Sequence, residues 1–260
     1  MYTARQRDYY NLRYRTFVYL FLRIHYSIRY QVVKYLVRKI LLNYFGKKIK
    51  LRILDFGSGL GEFGIFFEKE LGHIYLGLDL SEEGVKYSKR ILGFNSITLD
   101  ILKEDIPTNL GKFNVIFMHE VLEHLEFPEL TLRRLSGLLL PNGIIIFTTP
   151  SSEFKSLIPK NPLHVKEYTK NQLKNLSKEI RMKIHIQYAG GYITSILEGI
   201  QRKIFPVGAQ EKRIMYKRLG IKETLWIIML KPLTALCIIE SIIMKVLDVG
   251  YHYFCVMKLN

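Results

Sequence analysis

The run Ile53-Leu54-Asp55-Phe56-Gly57-Ser58-Gly59-Leu60-Gly61-Glu62-Phe63-Gly64 constrains the fold of this chain more than any other stretch, because an apolar strand passes straight into a glycine-dense turn that opens a helix. Such a turn lets a ligand approach backbone. Glycine at positions 57, 59 and 61 permits positive φ and leaves no Cβ to fend off a flat or anionic group. The next strand, His73 to Asp79, ends on a carboxylate that can accept from both hydroxyls of a ribose. Together these features predict a nucleoside-containing cofactor at the carboxyl ends of parallel strands.

Two cofactor classes share this layout, since Gly59-Leu60-Gly61-Glu62-Phe63-Gly64 also spells the dinucleotide fingerprint G-x-G-x-x-G. The residues that follow separate them. Asp55 before the loop, Asp79, and Asp100 at the end of a third strand (Ser96 to Asp100) form an ordered acidic set. After them come Phe113-Asn114-Val115-Ile116-Phe117-Met118-His119-Glu120-Val121-Leu122-Glu123-His124 and the strand-like Leu138 to Pro150. In this order the blocks resemble the class I S-adenosylmethionine-dependent methyltransferases, over roughly residues 50 to 190. Asn114 departs from that pattern, standing where an aspartate is common, and Asn142-Gly143 replaces the commoner Gly-Gly after Pro141. An NAD(P)-dependent oxidoreductase is the alternative enzyme, disfavoured because no catalytic Tyr/Lys pair follows the sheet motifs. A non-catalytic membrane- or partner-binding module on the same fold is the other alternative.

At 260 residues the chain has room for one enlarged domain. Its two cysteines, Cys237 and Cys255, lack metal-like or disulfide-framework spacing, so a reducing, cytoplasmic compartment is expected. The amino-terminal apolar stretches are broken by Arg13, Arg15, Arg23 and Arg29, which argues against a cleavable signal.

Placement of the net charge of +16 matters more than its size, because the first fifty residues hold many Arg and Lys against a single acid, Asp8. Within that stretch Arg23, Ser27, Gln31, Lys34 and Arg38 recur at helical spacing opposite Ile24, Ile28, Val32, Leu36 and Ile40. This reads as a basic amphipathic helix. Three uses stay open: a helix packed on the domain with a solvated basic face, a helix on an anionic membrane surface, or a stripe that follows nucleic-acid phosphates.

The pattern changes after Tyr188. A second basic cluster (Arg202, Lys203, Lys212, Arg213, Lys217, Arg218, Lys222) precedes the most apolar segment, Thr224 to Val249. Lys231-Pro232, Glu240 and Lys245 interrupt that segment, which disfavours a full membrane crossing and predicts two helices broken at Pro232. They would cap the active site or lie in a bilayer interface. Tyr251 to Lys258 reads as a strand, which the resemblance makes the antiparallel last strand of the sheet, beside Met182 to Tyr188.

The resemblance also implies roles. The turn Gly57-Ser58-Gly59-Leu60-Gly61 and Asp55 would hold the zwitterionic amino-acid end of S-adenosylmethionine, the turn through backbone N–H groups. Asp79, with Leu80 beside it, would take the ribose, Asp100 the adenine amino group, Ile101 the ring, and His119 would lie under the cofactor. For Asp55 and Asp100 a helix or turn cap is the competing reading. In Glu120-Val121-Leu122-Glu123-His124 the spacing i, i+3, i+4 predicts two carboxylates and an imidazole on one helical face. With the later His164 they could bind a divalent cation (Mg, Mn, Co or Zn), as the run resembles the ubiquinone-biosynthesis-type O-methyltransferases. Without metal, His124 is the candidate base, its ordinary pKa near 6.5 suiting it to accept a hydroxyl proton.

The expected architecture is therefore α/β: a Rossmann-like, doubly wound, mostly parallel seven-stranded sheet with an antiparallel last strand. Residues 1–49 form a basic helical segment, 50–188 the cofactor-binding core, 189–250 a helical insertion or cap, and 251–260 the last strand. The expected function is methyl transfer from S-adenosylmethionine to an oxygen of a small or lipid-linked acceptor, such as a quinol precursor or glycan. The protein would be cytoplasmic, either free or peripheral on the inner face of a membrane.

Overall fold

Strands β1 (Arg52–Phe56), β2 (Ile74–Asp79), β3 (Ser96–Thr98), β4 (Phe113–His119), β5 (Leu139–Pro150), β6 (Met182–Tyr188) and β7 (His252–Leu259) form one sheet in the order β3-β2-β1-β4-β5-β7-β6. The computed structural model describes residues 7–11, 27–47, 49–154, 163–204 and 221–259. β1 to β5 pair in parallel, and β7 enters antiparallel between β5 and β6. The central strands carry apolar runs, with Ile53, Leu54, Val115 to Met118 and Ile144 to Phe147 fully buried, because helices cover both faces. Chain order reverses between β1 and β4, so their carboxyl ends diverge into a crevice.

On one face lie α4 (Pro128–Ser136) and α5 (Lys170–Glu179), where Leu132, Leu135, Leu173 and Leu176 pack against Leu54, Ile116 and Phe147, while α3 (Glu82–Arg90) lies on the opposite face, its Ser88 hydroxyl 2.7 Å from that of Ser96 beside Gly77. Ser81 starts α3 by accepting from the Gly84 amide, and Thr169 with Gln172 forms a capping box on α5. The other face carries α1 (Ile28–Phe45), α2 (Glu62–Gly64, continued by the π-wound Ile65–Glu70) and α7 (Ile221–Leu247), packed on Phe117, Ile146 and Phe254. Helix α6 (Tyr192–Ile204) lies against α7 and α1.

Ser27 is not part of a polar stripe on α1 but its N-cap, accepting from the Tyr30 amide. Ile28, Val32, Val33 and Val37 are fully buried, and each such side chain contributes about 1.5–3 kcal/mol. Packing therefore holds α1, and three of its basic residues pair within the domain: Arg29 meets Glu120 and Glu198, and Lys34 and Arg38 both reach Glu70. Arg23 and Ile24 lie outside the described residues, as do Lys212, Arg213, Lys217 and Arg218 of the second basic cluster.

Helix α7 corrects the expectation of a break at Pro232: it runs unbroken through that residue. The proline ring lies on the exposed side, while Trp226 and Leu230 before it and Cys237 and Ser241 after it are buried along one line. Packing on both sides of the missing N–H offsets the roughly 3 kcal/mol that an internal proline costs. Glu240, which interrupts the apolar segment in sequence, points inward and accepts from the backbone amides of Gly191, Ile193 and Thr194 and from the Thr194 hydroxyl. It caps the start of α6 with a carboxylate, matching the positive end of that helix.

Candidate active site

At the end of β1 the glycine turn has φ of 78° at Gly57, 56° at Gly59 and 86° at Gly61. A Cβ on Gly57 would sit 2.4 Å from Val121 Cγ2, so glycine is required there for space as well as for φ. Four of the turn's five amides are already occupied. Gly57 and Ser58 N–H donate to the Leu78 carbonyl (2.7 and 3.1 Å), Gly59 N–H to Asp79 Oδ2 (2.8 Å) and Gly61 N–H to the Ser58 carbonyl (2.9 Å). The turn thus offers shape and a bare backbone rather than the anion-binding donors expected from sequence.

Beneath the turn three carboxylates are buried together. Asp55 Oδ2 accepts from the Tyr75 hydroxyl (2.9 Å), and Asp79 Oδ1 accepts from the Ser81 amide (2.8 Å). Burial pushes Asp55 up to about 7 against the Tyr75 hydrogen bond, with Asp79 adding to the rise. Burial likewise pushes Glu62 up to about 8, with Asp55 and Asp79 contributing, and raises Asp79 despite its backbone hydrogen bonds. Among the described residues no cationic side chain forms an ion pair with Asp55, Glu62 or Asp79. The cluster therefore suits a positively charged ligand group. Glu62 was given no role from sequence, although its place directly after the last glycine of the turn is the signal that marks it.

Farther along the crevice Asp100 is buried; its Oδ1 accepts from the Leu102 amide (3.1 Å), and Lys103 lies 3.2 Å from Oδ2. Its side chain holds a turn, the competing reading made from sequence, and Ile101 beside it is also buried. Leu80 is half-buried next to Asp79. The helical turn at residues 7–11 reaches this edge: Asn11 Oδ1 accepts from Ser81 Oγ (2.7 Å) and from the Glu83 amide (3.3 Å).

Across the crevice His119 ends β4 with Nδ1 2.7 Å from Thr148 Oγ1, and the threonine hydroxyl donates to Glu120 Oε1 (3.0 Å). His119 therefore donates from Nδ1 and carries its lone pair on Nε2. Burial lowers its pKa to about 3, so the ring is neutral. Glu120 does not share a helical face with Glu123 and His124. Its φ of 55° swings the chain around, and Leu122–His124 is a single 3-10 turn. The Glu120 carboxylate instead meets Arg29 Nη1 (2.7 Å) and His252 Nε2 (2.9 Å), and Arg29 Nε lies 3.0 Å from Glu198 Oε1. Burial opposes the Glu120 charge, but Arg29 and His252 outweigh it and hold its carboxyl well below the usual range. This cluster joins α1, the end of β4, α6 and β7.

Three of the four expected metal ligands do converge. One ligand atom from each of Glu123, His124 and His164 lies within 4.8 Å of the others. The Glu123 carbonyl accepts from the Val165 and Lys166 amides, which brings His164 to the turn. Glu123 is fully buried; Oε2 accepts from Thr149 Oγ1 (2.9 Å), while Oε1 has no hydrogen-bond partner among the described residues. Burial, then the Glu120 charge, push its carboxyl well up. His124 Nδ1 faces the Leu163 carbonyl (3.0 Å) and His164 Nδ1 faces Glu167 Oε1 (3.2 Å). Both partners only accept, so in the neutral rings Nε2 carries the lone pair. The Tyr10 hydroxyl lies 3.4 Å from His124 Nε2.

A model of a methyltransferase-domain family matches residues 28–185. The ubiquinone biosynthesis O-methyltransferase of Coxiella burnetii is 26% identical over 130 residues, covering 48% of this chain and 55% of that protein. The chain thus spans about half the length of the curated relatives it matches. Among solved structures, the plantazolicin methyltransferase BpumL, in complex with a triazolic desmethylPZN analog and SAH, superposes with a TM-score of 0.55 at 17% identity, over 90% of this chain and 85% of that one. The [4+2]-cyclase SpnF superposes with the same TM-score of 0.55 at 13% identity, over 86% and 80%. At such identities the likeness establishes the fold, and the cyclase shows that the fold alone does not determine the reaction.

Proposed function

The chain belongs to the methyltransferase-domain family, and we propose that it transfers the methyl group of S-adenosylmethionine to an oxygen of a small or lipid-linked acceptor, a quinol precursor or a glycan. The observation that carries the cofactor is the set of buried carboxylates Asp55, Glu62 and Asp79 under the glycine turn, which form no ion pair among the described residues. S-adenosylmethionine brings an ammonium and a sulfonium to such a site. A nicotinamide dinucleotide would instead bring a pyrophosphate toward three acids and a turn with four of its five amides occupied, which argues against the oxidoreductase reading.

On the acceptor side, the hydroxyl oxygen attacks the methyl carbon in line with the C–S bond. That bond's electrons pass to sulfur, leaving neutral S-adenosylhomocysteine. The acceptor proton goes to Nε2 of His124, whose ring is held by the Leu163 carbonyl. His119, neutral and fixed by Thr148, lines the floor. Glu123, His124 and His164 also fit a divalent cation (Mg, Mn, Co or Zn): one buried carboxylate oxygen lacks a hydrogen-bond partner, and each histidine has an acceptor for its other ring N–H. A bound cation would lower the pKa of the acceptor hydroxyl and orient it. Titration calorimetry with S-adenosylmethionine, S-adenosylhomocysteine and NAD tests the cofactor. Saturable binding of the S-adenosyl ligands is expected, and binding of NAD alone would overturn the assignment.

A further inference from the structure

Among the described residues, the largest run of exposed apolar side chains lies on α6 and α7. At about 100° per residue, Leu225, Ile228, Leu236, Ile239, Ile243 and Val246 fall within about 60° of one line along α7. All six are exposed, Ile228 to 65% and Val246 to 81%. The line runs the length of a helix of 27 residues, about 40 Å. Tyr192, Ile193, Ile196 and Ile200 extend the exposed apolar surface onto α6. A contiguous apolar surface of this extent exceeds what a soluble monomer ordinarily leaves to water.

Charge decides what covers it. Lys222 and Lys231 stand at opposite edges of the α7 stripe, Lys245 lies beyond the Lys231 edge, and α6 ends on exposed Arg202 and Lys203. Among the described side chains, every exposed charge on these two helices is positive, while Glu198 and Glu240 are buried and turned inward. An apolar stripe flanked by lysines is the composition of a helix lying in a lipid interface, where the ammonium groups rise to the headgroups of anionic lipids.

The opposite side of α7 excludes a crossing. By length and composition Thr224–Leu247 could span a bilayer, but Trp226, Leu230 and Cys237 pack into the domain and Glu240 is bound to the start of α6. Spanning would place that carboxylate in hydrocarbon. Position relative to the crevice is also fixed. Four residues separate Leu247 from His252, which pairs with Pro150 at the carboxyl end of β5, so α7 ends and α6 begins on the side of the sheet where the active site opens.

We propose that α6 and α7 form a monotopic docking face that seats the protein on an anionic bilayer, with one end of that face on the crevice side of the sheet. The attachment thus belongs to the helices between β6 and β7; Lys34 and Arg38 of α1 are already paired with Glu70. The inference stands independently of the acceptor's identity.

Flotation of the full chain with phosphatidylcholine vesicles, with and without phosphatidylglycerol, tests it. Co-flotation is expected with the anionic vesicles only, falling as salt rises. Ile228→Asp/Ile239→Asp should lower partition at least about tenfold while leaving the melting temperature and S-adenosyl-ligand affinity unchanged, since both side chains are already in water in the free protein. Three results would each overturn the proposal: no flotation of the parent protein, equal flotation with neutral vesicles, or unchanged flotation of the double variant. A lipid-independent dimer that the double variant dissociates would assign the face to a second copy instead.

Discussion

Binding of S-adenosylmethionine at neutral pH should release protons, and the number follows from the buried acids. In the free protein Asp55 titrates at about 7 and Glu62 at about 8. At pH 7 the first is about half protonated and the second about nine-tenths. A cation placed among them favours the ionised forms. Release should therefore be about 0.5 proton if only Asp55 responds, and up to about 1.4 if both do. The sign for affinity is set by the same groups: the ligand prefers the deprotonated acids, so binding strengthens as pH rises toward 7. The slope is at most about tenfold per pH unit for each proton displaced. Near pH 8 the ligand's own α-amino group begins to lose its charge and the gain ends. Calorimetry in buffers of different ionisation enthalpy counts the protons. Asp55→Asn should remove the Asp55 share and flatten the dependence between pH 6 and 7. Binding without proton release, or an Asp55→Asn variant with parental pH dependence, would refute the claim that these carboxylates receive the ligand's positive charge.

Removing the guanidinium of Arg29 leaves Glu120 and Glu198 buried without it, so Arg29→Met should destabilise the protein by about 3–5 kcal/mol in denaturant titration. Adding Glu120→Gln should recover part of that loss; no recovery would mean the two do not act as a pair. Chelation followed by readdition of divalent cation separates the two readings of the acceptor side. If a cation is bound, chelator and His164→Ala both stop turnover while calorimetric cofactor affinity stays near parental. If His124 acts as a simple base, activity survives both and is lost in His124→Ala.

What could be read from the sequence was what is local. The glycine turn, Asp55 and Asp79 lie on consecutive strands, so their meeting follows from parallel pairing of β1 with β2. The last strand was legible as a short apolar run set off from the helices before it, and its antiparallel place followed from the family resemblance. Contacts between distant segments were not legible. Arg29 and Glu120 are separated by 91 positions, and nothing in either neighbourhood announces the other. The helical face assigned to Glu120, Glu123 and His124 failed at one residue, because spacing carries no information about a positive φ at a non-glycine. Pro232 misled for a related reason: propensity describes an isolated helix, whereas α7 is held by its partners.

β6 hydrogen-bonds to β7 alone among the described strands, yet α6, the residues after it and α7 are all made before β7. During synthesis β6 must therefore remain without a paired strand until the segment that begins at His252 has left the ribosome. The same segment supplies the imidazole that meets Glu120, so sheet closure and completion of the charge cluster beside the active site are one late, long-range event. Such ordering slows folding and leaves a strand edge open to wrong partners. For this chain the waiting period coincides with exposure of its most apolar helix.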